Sequence, residues 1–423
     1  MKIKYPQVIT KIIDIMKRAI FFFAILLTSC GTKNLKEVND LRYIDVAGGV
    51  GKSRTFNLSE IADSIEYIPL ETTSESLIGK IFTNLIYLEN NVLYIILQEE
   101  SLKIFNKKGE YINTLRKKGR GPGEYEFLAN IDIDYNSGNI YIKGHRKIIE
   151  YKNNSEYIRT IYFPENKEID CSRLSSDFKS IGNHFLINYY IIKKNSIHSA
   201  IVIDSNSRLK KIIEYPLEEQ MFIKKLSRIT DINRPKIIKY KNNIRIINGV
   251  NKYVLNIAED LSIDTAYIFN FGKYDVKTKS ITNLLPDAPY LWQRLGAFES
   301  DNYLFLMMHV GPILKKPTIL LDAHGKEFNY NHACSFFNKK TGEFSFIDQP
   351  MPYKLGFKDD FEGGPPVWPL YISADNYMIS IMTAFNFISF TQENSVSDKL
   401  KAMAGKLKET DNHILVKVKL KSL

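Results

Sequence analysis

Three carboxylates crowd into one glycine-containing loop in the C-terminal third of the sequence. The run Asp359-Asp360-Phe361-Glu362-Gly363-Gly364 offers oxygen ligands of the kind that Ca²⁺ prefers. Asp359, Asp360 and Glu362 lack the regular spacing of a known calcium loop, so a solvated acidic turn is the alternative interpretation. We therefore keep Ca²⁺ as the one candidate metal and predict no other cofactor.

Aromatic and guanidinium side chains form a second group of candidates. Trp292 and Arg294 lie two residues apart, and Trp368 stands between residues of a proline-rich loop. Aromatic faces stack on sugar rings, and the guanidinium group binds carboxylates through two parallel hydrogen bonds. These residues are candidates for binding a glycan or a uronate, and the alternative for each Trp is packing between structural units.

A third group consists of Arg120, His145 and Arg146, which fall in predicted turns. Connections between strands are where binding residues concentrate, so a ligand-binding role is one interpretation. The alternative is that these side chains contact backbone carbonyls and stabilise their own turns.

Linear motifs for catalysis or nucleic-acid binding are missing from the sequence. There is no G-x-S-x-G, H-E-x-x-H or P-loop pattern, and the seven His residues are dispersed. The lysines are scattered over many turns and form no basic stripe, so no nucleic-acid partner is predicted. These observations favour a protein without enzymatic activity, although residues from distant segments could still converge into a catalytic site.

The elements that would position these residues are short β-strands joined by tight turns. Four strand-like segments occur at residues 131–135, 140–142, 148–151 and 157–161, separated by turns rich in Asn, Ser and Gly. The pattern predicts one antiparallel meander, which is the unit of a β-propeller blade. A single meander cannot bury both of its faces, so several copies around an axis are implied.

The meander recurs along the chain. The equivalent positions in the first four copies are Tyr111, Tyr157, Leu209 and Leu261. Their spacings of 46, 52 and 52 residues match one propeller blade per repeat. Further copies begin at Asp301, with a longer insertion, and at Asp375. The predicted fold is all-β, a six-bladed β-propeller of four-stranded antiparallel blades.

The two ends of the chain are predicted to close the ring together. Residues 413–421 alternate between apolar and polar types, and residues 42–46 are the candidate partner strand near the N-terminus. A blade shared between early and late strands removes the exposed sheet edges of an open ring. Residues 397–409 form the only predicted helix, with Ser397 as its N-cap and an apolar stripe for packing on the propeller. Membrane contact is the alternative for this basic helix.

The N-terminal segment has the pattern of an export signal. Lys17 and Arg18 precede an apolar stretch over residues 19–27, which is too short for a stable membrane span. The following Leu-Thr-Ser-Cys30 resembles the bacterial lipobox, in which the Cys is lipidated. We predict a lipoprotein signal peptide at 1–30, a short tether at 31–41 and the propeller at 42–423, with Met1 or Met16 as the true start. Removing residues 1–30 takes away five basic and one acidic side chains and lowers the formal net charge from +11 to +7.

Two cysteines remain after Cys30. Cys171 and Cys334 lie far apart, and neither has a second Cys at metal-binding spacing. We expect two buried free thiols, with a disulfide as the alternative that an exported location would permit.

Three segments resemble a known family. Residues 119–125, Gly-Arg-Gly-Pro-Gly-Glu-Tyr, and the strands that follow resemble an NHL-type repeat. With residues 67–79 and 362–369, they are similar to the six-bladed β-propeller lipoproteins of Bacteroidota. The resemblance implies a propeller tethered to the cell envelope by lipid, and it brings no catalytic residues to this chain. His145 falls in a region where many NHL-like repeats carry an Asp, so a site that depends on that Asp is not expected.

These patterns predict a binding or scaffolding lipoprotein of the cell envelope, with a glycan or protein partner at one propeller face. The alternative is a propeller enzyme, a lyase or hydrolase acting on carbohydrate or peptide. That activity would require an acid–base cluster in the channel, such as His145 beside an Arg and a carboxylate. A lipid on Cys30 would attach the protein to the outer membrane. The periplasmic face is slightly favoured, because the residues after Cys30 lack the acidic cluster associated with surface export.

Overall fold

Six antiparallel sheets follow one another along the chain in the computed structural model. It describes residues 42–128, 130–164, 169, 174, 177–192, 196–217, 220, 235–247, 252–275, 291–314, 316–322 and 324–422. Each sheet has four strands in the order of an antiparallel meander, with one parallel strand added to the fourth sheet. The structure therefore confirms the six-bladed β-propeller.

The first three blades are uninterrupted meanders, and their strands are bounded as follows. Blade 1 comprises β3 (Ile81–Glu89), β4 (Val92–Leu97), β5 (Leu102–Asn106) and β6 (Tyr111–Leu115). Blade 2 comprises β7 (Ile131–Ile133), β8 (Ile140–Lys143), β9 (Lys147–Tyr151) and β10 (Tyr157–Tyr162). Blade 3 comprises β11 (Phe178–Ile181), β12 (His184–Ile192), β13 (Ile197–Asp204) and β14 (Leu209–Glu214).

The last three blades carry additions to the meander. Blade 4 comprises β15 (Lys236–Tyr240), β16 (Asn243–Ile247), β17 (Tyr253–Ile257) and β18 (Ile263–Asn270). Blade 5 comprises β19 (Trp292–Glu299), β20 (Tyr303–His309), β23 (His332–Asn338) and β24 (Glu343–Phe346), with the hairpin β21 (Thr318–Leu321) and β22 (Glu327–Tyr330) inserted. Blade 6 comprises β25 (Tyr371–Ile372), β26 (Tyr377–Met382), β27 (Ile414–Leu420) and β2 (Ala62–Pro69).

The core lies between the blades. The described residues form six hydrophobic clusters, one at each junction between neighbouring blades. Alternation along the strands explains this arrangement, because successive side chains point to opposite faces of a sheet. In β27, for example, Val416 and Val418 pack toward blade 5, whereas Leu415 packs toward blade 1. Each blade is therefore buried on both faces by its neighbours.

Ring closure uses a different N-terminal strand from the one predicted. β27 pairs antiparallel with β2, from Ala62 opposite Leu420 to Pro69 opposite Ile414. The predicted partner, residues 42–46, instead begins with β1 (Arg42–Asp45), which pairs parallel with β18 of blade 4. β2 is the better closing strand, because its eight residues match the length of β27 and place Ile65 and Tyr67 in the core. The prediction of a blade shared by both chain ends is confirmed, but its identification with residues 42–46 is wrong.

The helical prediction was incomplete. Ser397 caps a helix as predicted, but that helix, α3 (Asp398–Ala404), is shorter than residues 397–409. A further helix, α2 (Ala384–Glu393), was missed because its four aromatic and β-branched residues favour strands, although Phe387 and Phe390 are buried in the core. Short helical turns complete the described elements: α1 (Val46–Gly49) and three 3-10 turns (Leu58–Glu60, Gly272–Tyr274 and Gly311–Ile313).

Leu400 of α3 is fully buried in the cluster between blades 5 and 6, so this helix packs on the propeller as predicted. None of the helices in the described ranges is both long and apolar enough to cross a membrane.

Candidate functional site

The first strands of the blades surround a cavity of about 1180 Å³ on the propeller axis. Each inner strand, β3, β7, β11, β15, β19 and β25, contributes to its wall. Ligand pockets usually measure about 300–1,000 Å³, so this cavity has room for a ligand of several rings. Its charged lining consists of Glu100, Asp132, Asp177, Lys179, Lys236, Lys239 and Glu299. Its aromatic lining consists of Tyr87, Phe127, Tyr135, Phe298, Tyr330, Trp368 and Tyr371.

Asp132 of β7 is the centre of a buried cluster that joins three blades, which we call the Asp132 cluster. The Nζ atoms of Lys179 on β11 and Lys239 on β15 each lie 3.3 Å from one of its carboxylate oxygens. The backbone N–H and the hydroxyl of Ser180 donate to the same carboxylate at 2.7 and 2.6 Å. Burial alone would raise the pKa of Asp132, but the charges of Lys239 and Lys179 outweigh burial and hold it below its ordinary value. One carboxylate thus serves two ammonium groups, which leaves one excess positive charge.

A second buried cluster of the same kind surrounds Glu299 of β19, and we call it the Glu299 cluster. Its carboxylate accepts hydrogen bonds from Lys339 Nζ at 2.7 Å, Arg245 Nε at 3.0 Å and the Tyr267 hydroxyl at 2.6 Å. Burial opposes ionisation, but Lys339 and Arg245 prevail and lower the pKa of Glu299. This cluster also pairs one anion with two cations, so its net charge is positive.

Glu89 at the end of β3 lies behind the cavity wall. It accepts a hydrogen bond from the Tyr371 hydroxyl at 2.6 Å and one from the Ala374 backbone N–H at 3.0 Å. Burial raises the pKa of Glu89 to about 7, although both hydrogen bonds oppose the shift. Burial and the nearby Glu89 charge raise the pKa of Tyr371 well above its ordinary value. Tyr371 is therefore a hydrogen-bond donor in the cavity wall, in contact with a carboxyl group that titrates near neutral pH.

Trp368 is the one predicted ligand-binding residue that lines the axial cavity in the described part of the chain. Its ring stacks near the Phe357 ring, with centroids 6.2 Å apart and planes at 14°, and meets Phe305 edge-on at 6.0 Å. These contacts fix the half-buried ring in place between blades 5 and 6. The packing alternative therefore applies to Trp368, and the same packing holds its remaining surface in the cavity wall.

Arg120, His145 and Arg146 lie elsewhere. All three are exposed, and His145 and Arg146 form the turn between β8 and β9. The backbone carbonyl of Arg146 accepts a hydrogen bond from the Phe163 N–H at 2.9 Å. None of the three is among the described residues that line the cavity. Their role in binding stays a prediction, and the structure does not place His145 in an acid–base cluster at the channel.

Residues 119–125, the segment that resembles an NHL-type repeat, have a structural function. The Gly121 N–H donates to the Glu124 carboxylate at 2.8 Å, and a Cβ atom on Gly119 would lie 2.0 Å from the same carboxylate. The buried Tyr125 hydroxyl lies 3.0 Å from the Glu100 carbonyl oxygen and 3.2 Å from the Lys117 backbone nitrogen. The segment thus fastens the connection between blades 1 and 2.

Trp292 and Arg294 belong to β19, but their side chains fall outside the described part of the structure, so their candidate role stays a prediction. Cys30 and Cys171 are also outside the described residues. Cys334 is buried and free, and burial raises the pKa of its thiol above the ordinary value.

The acidic loop organises its own backbone. Asp359 is buried and accepts hydrogen bonds from the Tyr67 hydroxyl and the Gly364 N–H, both at 2.8 Å. Asp360 accepts from the Ser59 N–H at 2.9 Å, whereas Glu362 pairs with Lys399 at 3.0 Å. No group of three or more His, Cys, Asp or Glu side chains within the described ranges is arranged to hold a metal ion. Ca²⁺ binding stays a prediction, which calorimetric titration of wild type and Asp360→Ala would test.

The sequence analysis missed the residues at the centre of the site: Asp132, Lys179, Lys239, Glu89 and Tyr371. One signal was available for Asp132, since it is a charged residue between two apolar residues of a short predicted strand. Its partners come from two later blades, and only the closure of the ring brings them together. Registering charged residues on the first strand of each repeat would have identified the positions, but not their contacts.

The fold and its axial cavity define this protein as a six-bladed β-propeller, of the kind found in Bacteroidota. The chain belongs to the family described as a domain of unknown function, DUF4934, whose model matches residues 41–419. No curated protein matches the sequence.

Solved structures share the fold. A Bacteroides fragilis NCTC 9343 protein named for its proposed export has a TM-score of 0.63 at 19% identity, over 88% of this chain and 99% of its own. A member of the DUF4221 family from Bacteroides vulgatus ATCC 8482 has a TM-score of 0.45 at 13% identity, over 85% and 97%. Virginiamycin B lyase from Staphylococcus aureus has a TM-score of 0.36 at 13% identity, over 85% and 99%. The last two similarities are too weak to bear on function.

Proposed function

We propose that this propeller captures a ligand in its axial cavity and does not transform it. The observation that carries the proposal is the cavity of about 1180 Å³, with wall residues from all six inner strands. Trp368 and Tyr87 offer aromatic surface, while the Asp132 cluster offers fixed charge. Such a mixture of apolar surface and a few oriented polar groups is typical of ligand sites.

We further propose that the protein works at the cell envelope as a lipoprotein. The support is the sequence Leu-Thr-Ser-Cys30 after a short apolar stretch, together with the membership of a Bacteroidota propeller family. The similar Bacteroides fragilis propeller, named for its proposed export, is consistent with this location. In this proposal the lipid holds the propeller at the outer membrane, on the periplasmic side.

A thermal-shift screen of the full chain against neutral glycans, uronates, peptides and divalent metals tests the binding function. A ligand at about 100 times its dissociation constant adds about 2.7 kcal/mol to the stability of the native state. Trp368→Ala should abolish the shift, whereas Tyr162→Ala, on an exposed outer strand, should preserve it. A screen without any shift would refute capture in the cavity and would favour a protein partner.

One observation favours an enzyme as the second candidate. Glu89, with a pKa of about 7, contacts Tyr371 of the cavity wall, and a carboxyl group that titrates near the working pH suits general acid–base catalysis. The corresponding reaction would be lysis or hydrolysis of a carbohydrate or peptide. Product analysis by mass spectrometry after incubation with each binding probe tests this function. Turnover lost in Tyr371→Phe with binding retained would support the enzyme, and unchanged probes would exclude it for those compounds.

A further inference from the structure

The charges around the axial cavity do not cancel. Each acid of the wall has cations that pair with it or act on it, and these are Lys118 for Glu100, Lys179 and Lys239 for Asp132, Lys236 for Asp177, and Lys339 and Arg245 for Glu299. Six cations therefore surround four acids, an excess of two among the described residues. Glu89 is a fifth acid behind the wall, and it reduces the excess only where it is ionised.

The lysines of blades 3 and 4 differ in their availability. Lys239 Nζ is fully engaged, since it lies 3.3 Å from Asp132, 3.2 Å from the Ile133 carbonyl and 3.0 Å from the Ser180 hydroxyl. Lys179 Nζ has Asp132 as its hydrogen-bonding partner and otherwise faces the Tyr87 ring at 5.4 Å. An ammonium group has three donors, so Lys179 keeps capacity for a further acceptor. Lys236 lines the same side of the cavity.

The aromatic surface lies across the channel from these lysines. In a closed ring of six blades, blade 3 faces blade 6, and Trp368 and Tyr371 belong to the blade 6 side of the cavity. Tyr87 and Tyr330 add hydroxyl groups at the margins of apolar rings. A ligand that fits both sides has an apolar ring face, hydroxyl groups and a negative charge, which is the chemistry of a uronic acid sugar.

Resting on the proposed capture function, we propose that the ligand is an acidic oligosaccharide, with a uronate carboxylate bound by Lys179 and Lys236 and a sugar ring stacked on Trp368. The excess charge supplies the attraction for the carboxylate, and the Asp132 cluster holds Lys179 in position. The volume of the cavity, about 1180 Å³, is sufficient for several sugar rings.

The test is calorimetric titration of the full chain with uronate trisaccharides of the gluco, galacto and manno series, each compared with its neutral counterpart. At least one uronate should bind about tenfold or more tightly than its neutral counterpart, because a buried charge pair contributes at least that much. Lys179→Met should remove this preference, and Lys179→Arg should largely keep it. Lys241→Met, at an exposed pair with Asp301, is the control that should not change it.

The outcomes separate the inference from the proposed function. Neutral sugars that bind as tightly as uronates, or a uronate preference that survives in Lys179→Met, would overturn the acidic-ligand inference and leave capture intact. Preferential binding of an acidic tripeptide would show that the ligand class is wrong. If neither these probes nor the wider screen gives binding, the capture function itself fails. Unfolding midpoints of all variants verify that lost binding does not reflect lost folding.

Discussion

Replacing Asp132 by Asn should be among the most damaging conservative substitutions in this protein. Asp132 is 4% exposed, and the side chains of Lys179 and Lys239 are about one-tenth exposed, so water cannot solvate the lysines once the carboxylate charge is removed. The amide could still accept from Ser180, but it would bring neutral NH₂ hydrogens against two ammonium groups. Three blades would lose the anion that joins their inner strands.

The size of the effect follows from the geometry. Removing one partner of a buried ion pair costs about 3–5 kcal/mol, because the remaining charge is left without compensation. Asp132→Asn leaves two such charges, but it keeps the hydrogen bonds of Ser180 in part, so we expect about 3–4 kcal/mol. With a urea m-value of about 3 kcal/mol/M, the unfolding midpoint should fall by about 1 M or slightly more.

Urea unfolding of the full chain, followed by tryptophan fluorescence and by circular dichroism, measures this shift. Asp398→Asn is the matched control, because Asp398 is fully exposed and pairs with Lys401 only at 3.7 Å, a contact of about 0–1 kcal/mol. Lys239→Met should cost less than Asp132→Asn, because Asp132 would retain Lys179. An Asp132→Asn protein within about 1 kcal/mol of wild type would refute the argument that buried lysine charge depends on this carboxylate.

Three further predictions concern pH, backbone packing and location. Because burial raises the pKa of Glu89 from 4.5 to about 7, Glu89 contributes stability that is full below pH 4.5 and is lost as the pH rises through 7. Wild type should therefore lose up to about 3 kcal/mol more than Glu89→Gln between pH 5 and 8, measured by urea unfolding across the pH series. Gly364→Ala should cost about 2–3 kcal/mol in the same assay, since its Cβ would lie 2.0 Å from the Tyr67 hydroxyl oxygen. Cys30→Ala should abolish incorporation of radiolabelled palmitate and release the protein from the membrane fraction of the native host.

Each of these predictions has a contradicting result. Parallel pH profiles for wild type and Glu89→Gln would mean that Glu89 does not titrate in this range. Gly79→Ala is the control for Gly364→Ala, because nothing lies within 4 Å of a Cβ atom there, and equal costs would rule out the steric argument. Unlabelled wild-type protein, or a Cys30→Ala protein that stays with the membrane, would refute lipidation at this residue.

The repeat pattern made most of the fold predictable. The strands of blades 1 and 2 lie where alternation and Asn, Ser and Gly turns placed them, because both signals depend only on local backbone and burial preferences. Ring closure was less predictable, since pairing between residues 62–69 and 414–420 depends on contacts that are distant in sequence. Helix α2 was missed for a related reason: tertiary burial of Phe387 overrides the strand preference of its neighbours.

The site was harder to predict than the fold. Trp368 was identified as a candidate from its residue type, and it does line the cavity. Asp132, Lys179 and Lys239 have no shared motif, because each contributes one side chain from the inner strand of a different blade. Their contact arises from the radius and register of the closed ring, which single-sequence patterns do not encode. The exposed turn residues His145 and Arg146 were favoured by the general tendency of loops to carry function, and they lie away from the cavity.

The most direct test of capture in the axial cavity uses the fluorescence of Trp368. The chain has two Trp residues, so Trp292→Phe leaves Trp368 in the cavity wall as the only one. Titration of this variant with the uronate trisaccharides should give a saturable change in emission, and adding Lys179→Met should abolish it. If emission stays constant while calorimetry shows that the same probe binds, the ligand occupies another surface, and the axial cavity is not the binding site.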